Sequence, residues 1–334
     1  MVFAYQKTKM IIGLIDVDGH NFPNLPLMKI SAWHKARGDT VEWCIPICHY
    51  DKVYVSKVFG DEYSTYTNYL INADEVVFGG TGFAITVENG KEVYHKDRDV
   101  DLPYEIEHCY PDYSLYPELT KDTAYGFLTR GCCNNCSFCI VSKKEGLCSV
   151  KVADLTEFWK GQKKIKLLDA NLLACRERMD LLQQLVDSKA EVDFTQGLDA
   201  RFITEEVAYK LNEIKTDITH FAFDFMHNKD RILQGLKTFQ RICNKESRAV
   251  VVYMLTNYDT NFEQDMERVA LIQEAKCIPD VRIYRKPTAP KLLRHLQRWC
   301  NNRYLYNSCN FYDYKPTNKK TIQEMLDCGE LTIY

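Results

Sequence analysis

Residues 129–146 read TRGCCNNCSFCIVSKKEG, and they place four of the chain's fourteen cysteines within eight positions. An apolar run at Tyr125–Leu128 comes directly before this stretch and has the length and composition of a short buried strand. Gly131 stands before the first cysteine, and the apolar pair Ile140-Val141 follows the last. The pattern indicates a thiol-rich loop at the carboxyl end of a strand, where barrel folds place their functional groups.

The chain after Ala124 alternates strand-like and helix-like segments. Such alternation predicts successive βα units and a parallel sheet. Six units are too few for an eight-fold barrel, so we expect a partial (β/α)6 barrel over residues 121–290. The strand candidates are Tyr125–Leu128, Lys164–Leu168, Glu191–Phe194, His220–Phe225, Ala249–Leu255 and Val281–Tyr284. The helix candidates are Glu177–Ser188, Thr204–Ile214, Asp230–Asn244 and Phe262–Ala275.

Three interpretations of the cysteine loop compete. A structural zinc site needs four ligands, usually from two separated C-x2-C pairs. The chain has a single cysteine cluster and no second C-x2-C pair elsewhere. A bacterial ferredoxin run that starts at Cys133 requires a cysteine at position 143, where the sequence has Lys143. The third interpretation takes Cys132, Cys136 and Cys139 as C-x3-C-x2-C and leaves Cys133 outside the set. The spacing favours this third interpretation, with zinc binding or inert thiols as the alternatives.

C-x3-C-x-aromatic-C, directly after the first strand of a (β/α) domain, resembles the motif of the radical S-adenosylmethionine superfamily. The resemblance covers residues 121–290. It implies that Cys132, Cys136 and Cys139 hold three irons of a 4Fe-4S cluster and that S-adenosylmethionine binds the fourth iron. It further implies reductive cleavage of S-adenosylmethionine to a 5′-deoxyadenosyl radical, with a reductant such as flavodoxin or ferredoxin.

Polar residues after the later strands are candidates for binding S-adenosylmethionine. The family's Gly-Gly-Glu motif is absent, but the turn Asp169-Ala-Asn171 resembles the variant found in members with a cobalamin domain. A guanidinium such as that of Arg201 suits bidentate binding of a carboxylate. The alternative is that these residues form turns and helix caps without any ligand. The cofactor-binding candidates are Phe138, Asp169, Asn171, Gln196, Asp199, Arg201, Asp224 and Asn257.

The first 88 residues predict a separate Rossmann-like open sheet. Strand-like runs are separated here by a helix-like run at Leu25–Lys35, as expected for parallel strands with crossovers. Residues 89–120 are rich in charge, Tyr and Pro, and we interpret them as a linker. The strand candidates are Met10–Ile15, Thr40–Ile45, Lys52–Phe59 and Glu75–Phe78.

No GxGxxG fingerprint follows the first strand, so nothing indicates dinucleotide binding. Instead, Asp18-Gly-His20-Asn-Phe-Pro23 resembles the D-x-H-x-x-G loop of cobalamin-binding domains, with Pro in place of Gly. Tyr54-Val-Ser56 and Gly79-Gly80 belong to the same resemblance, which implies cobalamin as a second cofactor. The alternative is that these residues only end a strand, or that the domain no longer binds a cofactor.

The tail, residues 291–334, forms a basic cap in our interpretation. Residues 281–320 contain ten Lys or Arg and one acid, Asp313, which gives +9. The net charge of the chain is −3, so the remaining residues carry −12, an asymmetry typical of chains that attract an anionic partner. We predict an amphipathic helix over Lys291–Arg303, followed by interleaved Arg and Tyr that suit RNA. The alternative is a solvated helix face beside the barrel.

The composition predicts a folded protein of two domains. Of 334 residues, 46% are hydrophobic and 27% charged, which is enough for a proper core. No run approaches the roughly 18 apolar residues of a membrane span, so we expect a cytoplasmic protein with reduced thiols and no membrane partner. The sequence therefore predicts a radical S-adenosylmethionine enzyme that methylates, methylthiolates or otherwise modifies an unknown substrate. The alternative is an iron-sulfur protein that binds nucleic acid or transfers electrons without radical chemistry.

Overall fold

A computed structural model describes residues 9–19, 22–61, 63–67, 69–88, 91–317 and 319–334. The chain divides into two compact units. The N-terminal unit consists of the described residues up to Gly126, Asn134–Gly146 and Ala153–Ile165. The C-terminal unit consists of Phe127–Cys133, Leu147–Val152 and Lys166–Tyr334.

A four-stranded parallel sheet forms the centre of the N-terminal unit, with the strand order β2-β1-β3-β4. Asn24 begins the first helix, because its side-chain oxygen accepts a hydrogen bond from Leu27 N at 3.2 Å. The helix packs Leu27 and Ile30 against Ile12 and Leu14 of the sheet. The elements are β1 (Ile11–Asp16), α1 (Leu25–Ala36), β2 (Thr40–Trp43), β3 (Tyr50–Ser56) and β4 (Ala73–Gly79).

The interval predicted as a linker, residues 89–120, contributes to this unit. Ile106 is 5% exposed and lies in the same apolar core as Ile12 and Leu14. Tyr113 donates a hydrogen bond to Phe158 O at 2.6 Å, which ties the interval to a later part of the unit. The elements are the antiparallel pair β5 (Ile85–Glu88) and β6 (Lys91–Tyr94), then α2 (Tyr104–Glu107), α3 (Pro117–Thr120), β7 (Thr123–Gly126) and later α4 (Val141–Glu145).

Parallel strands separated by helices build the C-terminal unit. β12, β13 and β14 pair in parallel in that order, and parallel bridges from Glu191 to Lys215 and from Leu198 to Phe221 join β11 to β12. Thr195 N donates to Leu167 O at 3.3 Å, so β11 also lies beside β10. The strands are β8 (Thr129–Arg130) and β9 (Val150–Lys151), which pair antiparallel, then β10 (Lys164–Leu167), whose first two residues belong to the N-terminal unit, β11 (Glu191–Phe194), β12 (Thr219–Ala222), β13 (Val250–Thr256) and β14 (Ile278–Ile283). The helices between them are α5 (Arg178–Ser188), α6 (Glu205–Glu213), α7 (Lys229–Cys243) and α8 (Phe262–Glu274).

The mixed α/β class with parallel sheets is confirmed, and so is the alternation of strands and helices. Most predicted elements agree with the observed bounds within about three residues. The first strand of the (β/α) series is an instructive difference, since it was predicted at Tyr125–Leu128 and lies at Thr123–Gly126. Gly126 is pressed against the ring of Phe158, where a Cβ atom would lie 2.3 Å from the nearest ring atom. Leu128 N then donates a hydrogen bond to the side chain of Asp169 rather than to the backbone of a neighbouring strand.

The predicted helix Lys291–Arg303 ends two residues early. Asn302 is extended, with φ −102° and ψ 103°, and its side chain caps the next helix by accepting bonds from Tyr304 N and Leu305 N. The predicted apolar face is confirmed, since Leu292, Leu293, Leu296, Trp299 and Cys300 are buried. The final helices are α9 (Lys291–Asn301), α10 (Arg303–Ser308) and α11 (Ile322–Asp327). In the described part of the chain, no helix is long and apolar enough to cross a membrane.

Candidate functional site

The cysteine loop runs from one unit into the other. Cys132 and Cys133 belong to the C-terminal unit, whereas Cys136 and Cys139 belong to the N-terminal unit. All four are free thiols; Cys133 is exposed and the other three are partly buried. Among the described residues, no three His, Cys, Asp or Glu side chains are grouped as a metal site would require. The partial burial of Cys132, Cys136 and Cys139 sets them apart from Cys133, as the motif does.

Local hydrogen bonds hold the second half of the loop. Asn135 adopts a left-handed conformation with φ +44°, which Asn tolerates better than most residues. Its side-chain oxygen accepts a hydrogen bond from Ser142 Oγ at 3.0 Å, so the loop is closed around Cys136 and Cys139. Cys139 N donates to Cys136 O at 3.0 Å inside that loop. The backbone around these two thiols is therefore ordered by its own residues.

Lys144 fixes the helix that follows the thiols to the rest of the N-terminal unit. Its Nζ donates to Thr81 Oγ1 and lies 3.3 Å from Asp99 Oδ2, whose side chain is 6% exposed. Asp99 also accepts a hydrogen bond from Tyr94 OH at 2.8 Å. The glycine turn at residues 79–82 thus supports the helix after the cysteines. The resemblance had implied a cofactor-binding role for the same turn.

Asp169 supports the chain that leads into the loop. It is 6% exposed, and Thr129 donates to its Oδ1 from both N, at 2.5 Å, and Oγ1, at 2.6 Å. Leu128 N donates to both carboxylate oxygens at 3.2 Å. Burial raises the pKa of Asp169 to about 6, although these hydrogen bonds act in the opposite direction. These contacts hold Leu128 and Thr129, the residues that lead into the loop, in position.

The raised pKa of Asp169 predicts a pH-dependent contribution to stability. The folded state holds this proton more tightly than the unfolded state, so the contribution is complete below pH 4 and is lost as pH rises through 6. The side chain introduced by Asp169→Asn does not titrate, so the variant lacks this pH-dependent contribution. We expect the free energy of unfolding of wild type, relative to the variant, to fall by about 3 kcal/mol between pH 4 and pH 7, as measured by urea unfolding. A difference that grows with pH would mean that the hydrogen bonds outweigh burial.

Asn171, two residues further on, connects the first cysteine to the next strand end. Its Nδ2 donates to Cys132 Sγ at 3.7 Å and to Asp199 Oδ2 at 3.0 Å. Asn171 is 3% exposed, and no described residue donates a hydrogen bond to its buried Oδ1. A buried amide oxygen without a donor is costly and rare in folded proteins. Asn171 therefore offers an acceptor beside the thiol of Cys132.

Asp199 and Arg201 form a bidentate ion pair. Arg201 Nε donates to Asp199 Oδ1 at 2.9 Å and Nη2 donates to Oδ2 at 2.6 Å. Burial alone would raise the pKa of Asp199, but the guanidinium and the Asn171 amide lower it below its usual range. Two of the donors of Arg201 are thus directed to Asp199. The Asp199 carboxylate thus holds the side chains of Asn171 and Arg201. Arg201 adds a positive charge at this strand end.

Asp224, at the end of the next strand, lies within electrostatic reach of Asp199. Burial, followed by the charges of Asp259 and Asp199, raises the pKa of Asp224, while Leu255 N and Arg268 act in the opposite direction. Its Oδ1 accepts a hydrogen bond from Leu255 N at 2.9 Å. Asp169, Asp199 and Asp224 thus follow three successive strands, β10, β11 and β12.

The remaining candidates do not join this network. Gln196 is exposed. Asn257 has φ +62° and donates from Nδ2 to Tyr284 O at 2.7 Å, which is the turn-forming role that Asn often takes. Phe138 is partly buried and belongs to the N-terminal unit.

The sequence analysis did not single out Thr195 or Arg268, and it gave Cys133 no role. Thr195 follows β11, and its buried hydroxyl has no hydrogen-bond partner among the described residues. Desolvation, then the charges of Cys132 and Asp199, raise the pKa of Cys133, while Arg201 lowers it, so the exposed thiol is within electrostatic reach of Asp199 and Arg201. Arg268 is completely buried behind Asp224. Thr195 stands in the same strand-end segment as Asp199 and could have been found there, whereas a lone Arg within α8 gives no such signal.

The polar residues after the first strands of the N-terminal unit have partners within that unit. Asp16 accepts hydrogen bonds from Asn24 Nδ2 at 3.3 Å and Tyr116 OH at 2.6 Å. Asn24 Nδ2 also donates to Ser56 Oγ at 2.9 Å, and Asp18 accepts from Val58 N at 2.5 Å. His20, the histidine of the loop that resembles D-x-H-x-x-G, lies outside the described residues. Cobalamin binding stays a prediction of the resemblance.

No protein-family model matches this chain, and no curated protein matches it either.

Proposed function

We propose that the chain is a radical S-adenosylmethionine enzyme whose cluster ligands are Cys132, Cys136 and Cys139. In this proposal the C-terminal strands belong to a partial (β/α)6 barrel over residues 121–290. The N-terminal sheet is a Rossmann-like domain that supports the cysteine loop. When bound, a 4Fe-4S cluster supplies the electron that cleaves S-adenosylmethionine.

One observation carries the proposal: a buried acceptor without a donor lies beside the first cysteine of the motif. Asn171 Oδ1 is such an acceptor, and the same amide contacts Cys132 Sγ at 3.7 Å. S-adenosylmethionine carries an ammonium group, and charge-assisted hydrogen bonds are the stronger ones. The buried Asn171 Oδ1, which lacks a donor, fits the ammonium group of this co-substrate. Asp199, held by Arg201, keeps the Asn171 amide in the orientation that leaves Oδ1 available.

An anaerobic assay with dithionite and S-adenosylmethionine tests the proposal directly. The protein, reconstituted with iron and sulfide, should release 5′-deoxyadenosine and methionine. A protein that takes up a cluster and forms no 5′-deoxyadenosine is instead an electron-transfer or nucleic-acid-binding iron-sulfur protein. A protein that takes up no cluster contradicts the ligand assignment.

Replacing Asn171 should weaken the binding of S-adenosylmethionine. Asn171→Ala removes the acceptor of a charged hydrogen bond, so we expect the dissociation constant and the KM for S-adenosylmethionine to rise about 10- to 100-fold. Both are measured on reconstituted protein, by equilibrium dialysis and by 5′-deoxyadenosine formation.

Gln240→Ala is the matched control for this variant. Gln240 is also a buried amide whose oxygen has no donor among the described residues, and it lies on α7. It should leave the KM for S-adenosylmethionine unchanged. Equal effects of the two variants would show that loss of a buried amide, rather than loss of a ligand contact, explains the result.

A further inference from the structure

A surface rich in positive charge covers the C-terminal helices. Six of its Lys and Arg side chains are exposed, and none of these six forms an ion pair with a carboxylate in the described part of the chain. Of the ten cations in residues 281–320, Arg282 and Lys320 do have such partners, Asp280 and Glu330. We call the cationic surface the set Lys286, Lys291, Arg294, Arg298, Arg303 and Lys315.

Contacts show that these charges lie close to one another. Arg294 Nη2 donates to Pro287 O at 2.9 Å and to Ala289 O at 3.1 Å, which places it beside the segment of Lys286. Burial, then the charges of Arg298 and Lys291, lower the pKa of His295. Burial raises the pKa of Tyr314, the neighbour of Lys315, while the charge of Arg298 lowers it, so Arg298 is within electrostatic reach of that segment. The surface is therefore continuous along α9 and onto the segment after α10.

Packing does not explain why the exposed side of α9 carries cations. The helix is held by buried Leu292, Leu293, Leu296 and Trp299, and any polar residues would serve on its other side. Three exposed cations on α7, in contrast, are neutralised by carboxylates. On α7, Lys229, Lys237 and Arg241 pair with Glu267, Glu274 and Glu205. Like charges gathered without counter-charges repel one another, which an anionic partner would relieve.

Exposed tyrosines beside the charges indicate which polyanion fits. Tyr304 is 89% exposed next to Arg303, and Tyr312 is 39% exposed. Flat aromatic side chains among cations suit stacked bases and phosphates of a single strand. A membrane-binding helix would also expose Trp, Phe or Leu, whereas Trp299 and the leucines of α9 are buried.

We propose that the cationic surface binds single-stranded nucleic acid, with phosphates on α9 and a base stacked on Tyr304. Binding is independent of the radical chemistry. We also infer that the bound strand contains the substrate, and this inference rests on the proposed function.

Fluorescence anisotropy with a labelled 20-nucleotide oligouridylate tests the binding. Wild-type protein should bind with an affinity that falls steeply with salt. Lys291→Ala/Arg298→Ala/Arg303→Ala should weaken binding at least about tenfold and reduce the slope of log affinity against log salt by about 2. Tyr304→Ala should weaken it about 5- to 100-fold without changing the slope.

Lys229→Ala/Lys237→Ala/Arg241→Ala is the control, since it removes the same charge from paired positions. It should bind the oligonucleotide as wild type does. Equal weakening by both triple variants, no binding by wild type, or tighter binding to phosphatidylserine vesicles than to the oligonucleotide would each overturn the proposal. The 5′-deoxyadenosine assay is read separately, so failure of the radical chemistry is distinguishable from failure of binding.

Discussion

Cys132→Ala, Cys136→Ala and Cys139→Ala should each abolish formation of 5′-deoxyadenosine after anaerobic reconstitution. The motif supplies three thiolate ligands for four irons, so the loss of any one leaves too few protein ligands to hold the cluster. We expect iron and sulfide content to fall to background in each variant and activity to become undetectable. These side chains are partly buried in a loop, so their truncation should leave the folded chain intact, which circular dichroism checks.

Cys133→Ala is the matched control for these variants. It is exposed and stands outside the C-x3-C-x2-C spacing, so it should retain the cluster and the activity. Loss of the cluster in Cys133→Ala together with its retention in Cys132→Ala would exchange the roles of the two neighbours. Retention of a competent cluster by any of the three expected ligand variants would refute the assignment.

Sequence patterns predicted much of this fold because strands and helices differ in apolar periodicity. β11 was predicted at Glu191–Phe194, with the bounds it has, since it is a short run between clear helical segments. The end of α9 was missed because residues 301–303 contain no Gly or Pro that would mark it. The cap formed by Asn302 ends the helix.

The candidate site was predicted by location more reliably than by role. Strand-end polar residues were expected near the first cysteine, and Asn171 and Asp199 are joined there. Whether Arg201 faces a ligand or a neighbour depends on the backbone of one turn, which brings the guanidinium onto Asp199 two residues earlier. Asp169 was expected at the co-substrate, and Thr129 donates to its carboxylate, a contact across 40 positions that no local pattern reveals.

The burial of Arg268 could not be predicted from the sequence. A charged residue in an amphipathic helix is normally read as solvent-facing, yet Arg268 and Asp265 are both 0% exposed. Arg268 Nη1 donates to Phe223 O at 2.9 Å and Asp224 O at 3.1 Å, and Nη2 donates to Leu255 O at 2.8 Å. One guanidinium thus joins the carboxyl ends of β12 and β13. This inward orientation results from tertiary packing.

Arg268→Met should therefore be the most destabilising single substitution in the C-terminal unit. It leaves the Asp265 carboxylate buried without its cation and removes the donors of three backbone carbonyls. Breaking a buried pair on one side typically costs about 3–5 kcal/mol, a large share of the stability of an ordinary domain. Urea unfolding measures the loss. Because Asp224 stands on the same backbone, activity should fall under conditions where the variant is still folded.

Two further variants separate the buried charge from the general loss of an ion pair. Arg268→Met/Asp265→Leu removes both charges, so it should be more stable than Arg268→Met alone, although Tyr334 loses the acceptor to which its OH donates at 2.7 Å. Lys229→Met breaks the exposed pair with Glu267, the residue adjacent to Arg268, and should leave stability near that of wild type. If Arg268→Met were as mild as Lys229→Met, the carbonyls at the ends of β12 and β13 would not depend on this guanidinium. The geometry around Asp224 would then be set by the strands alone.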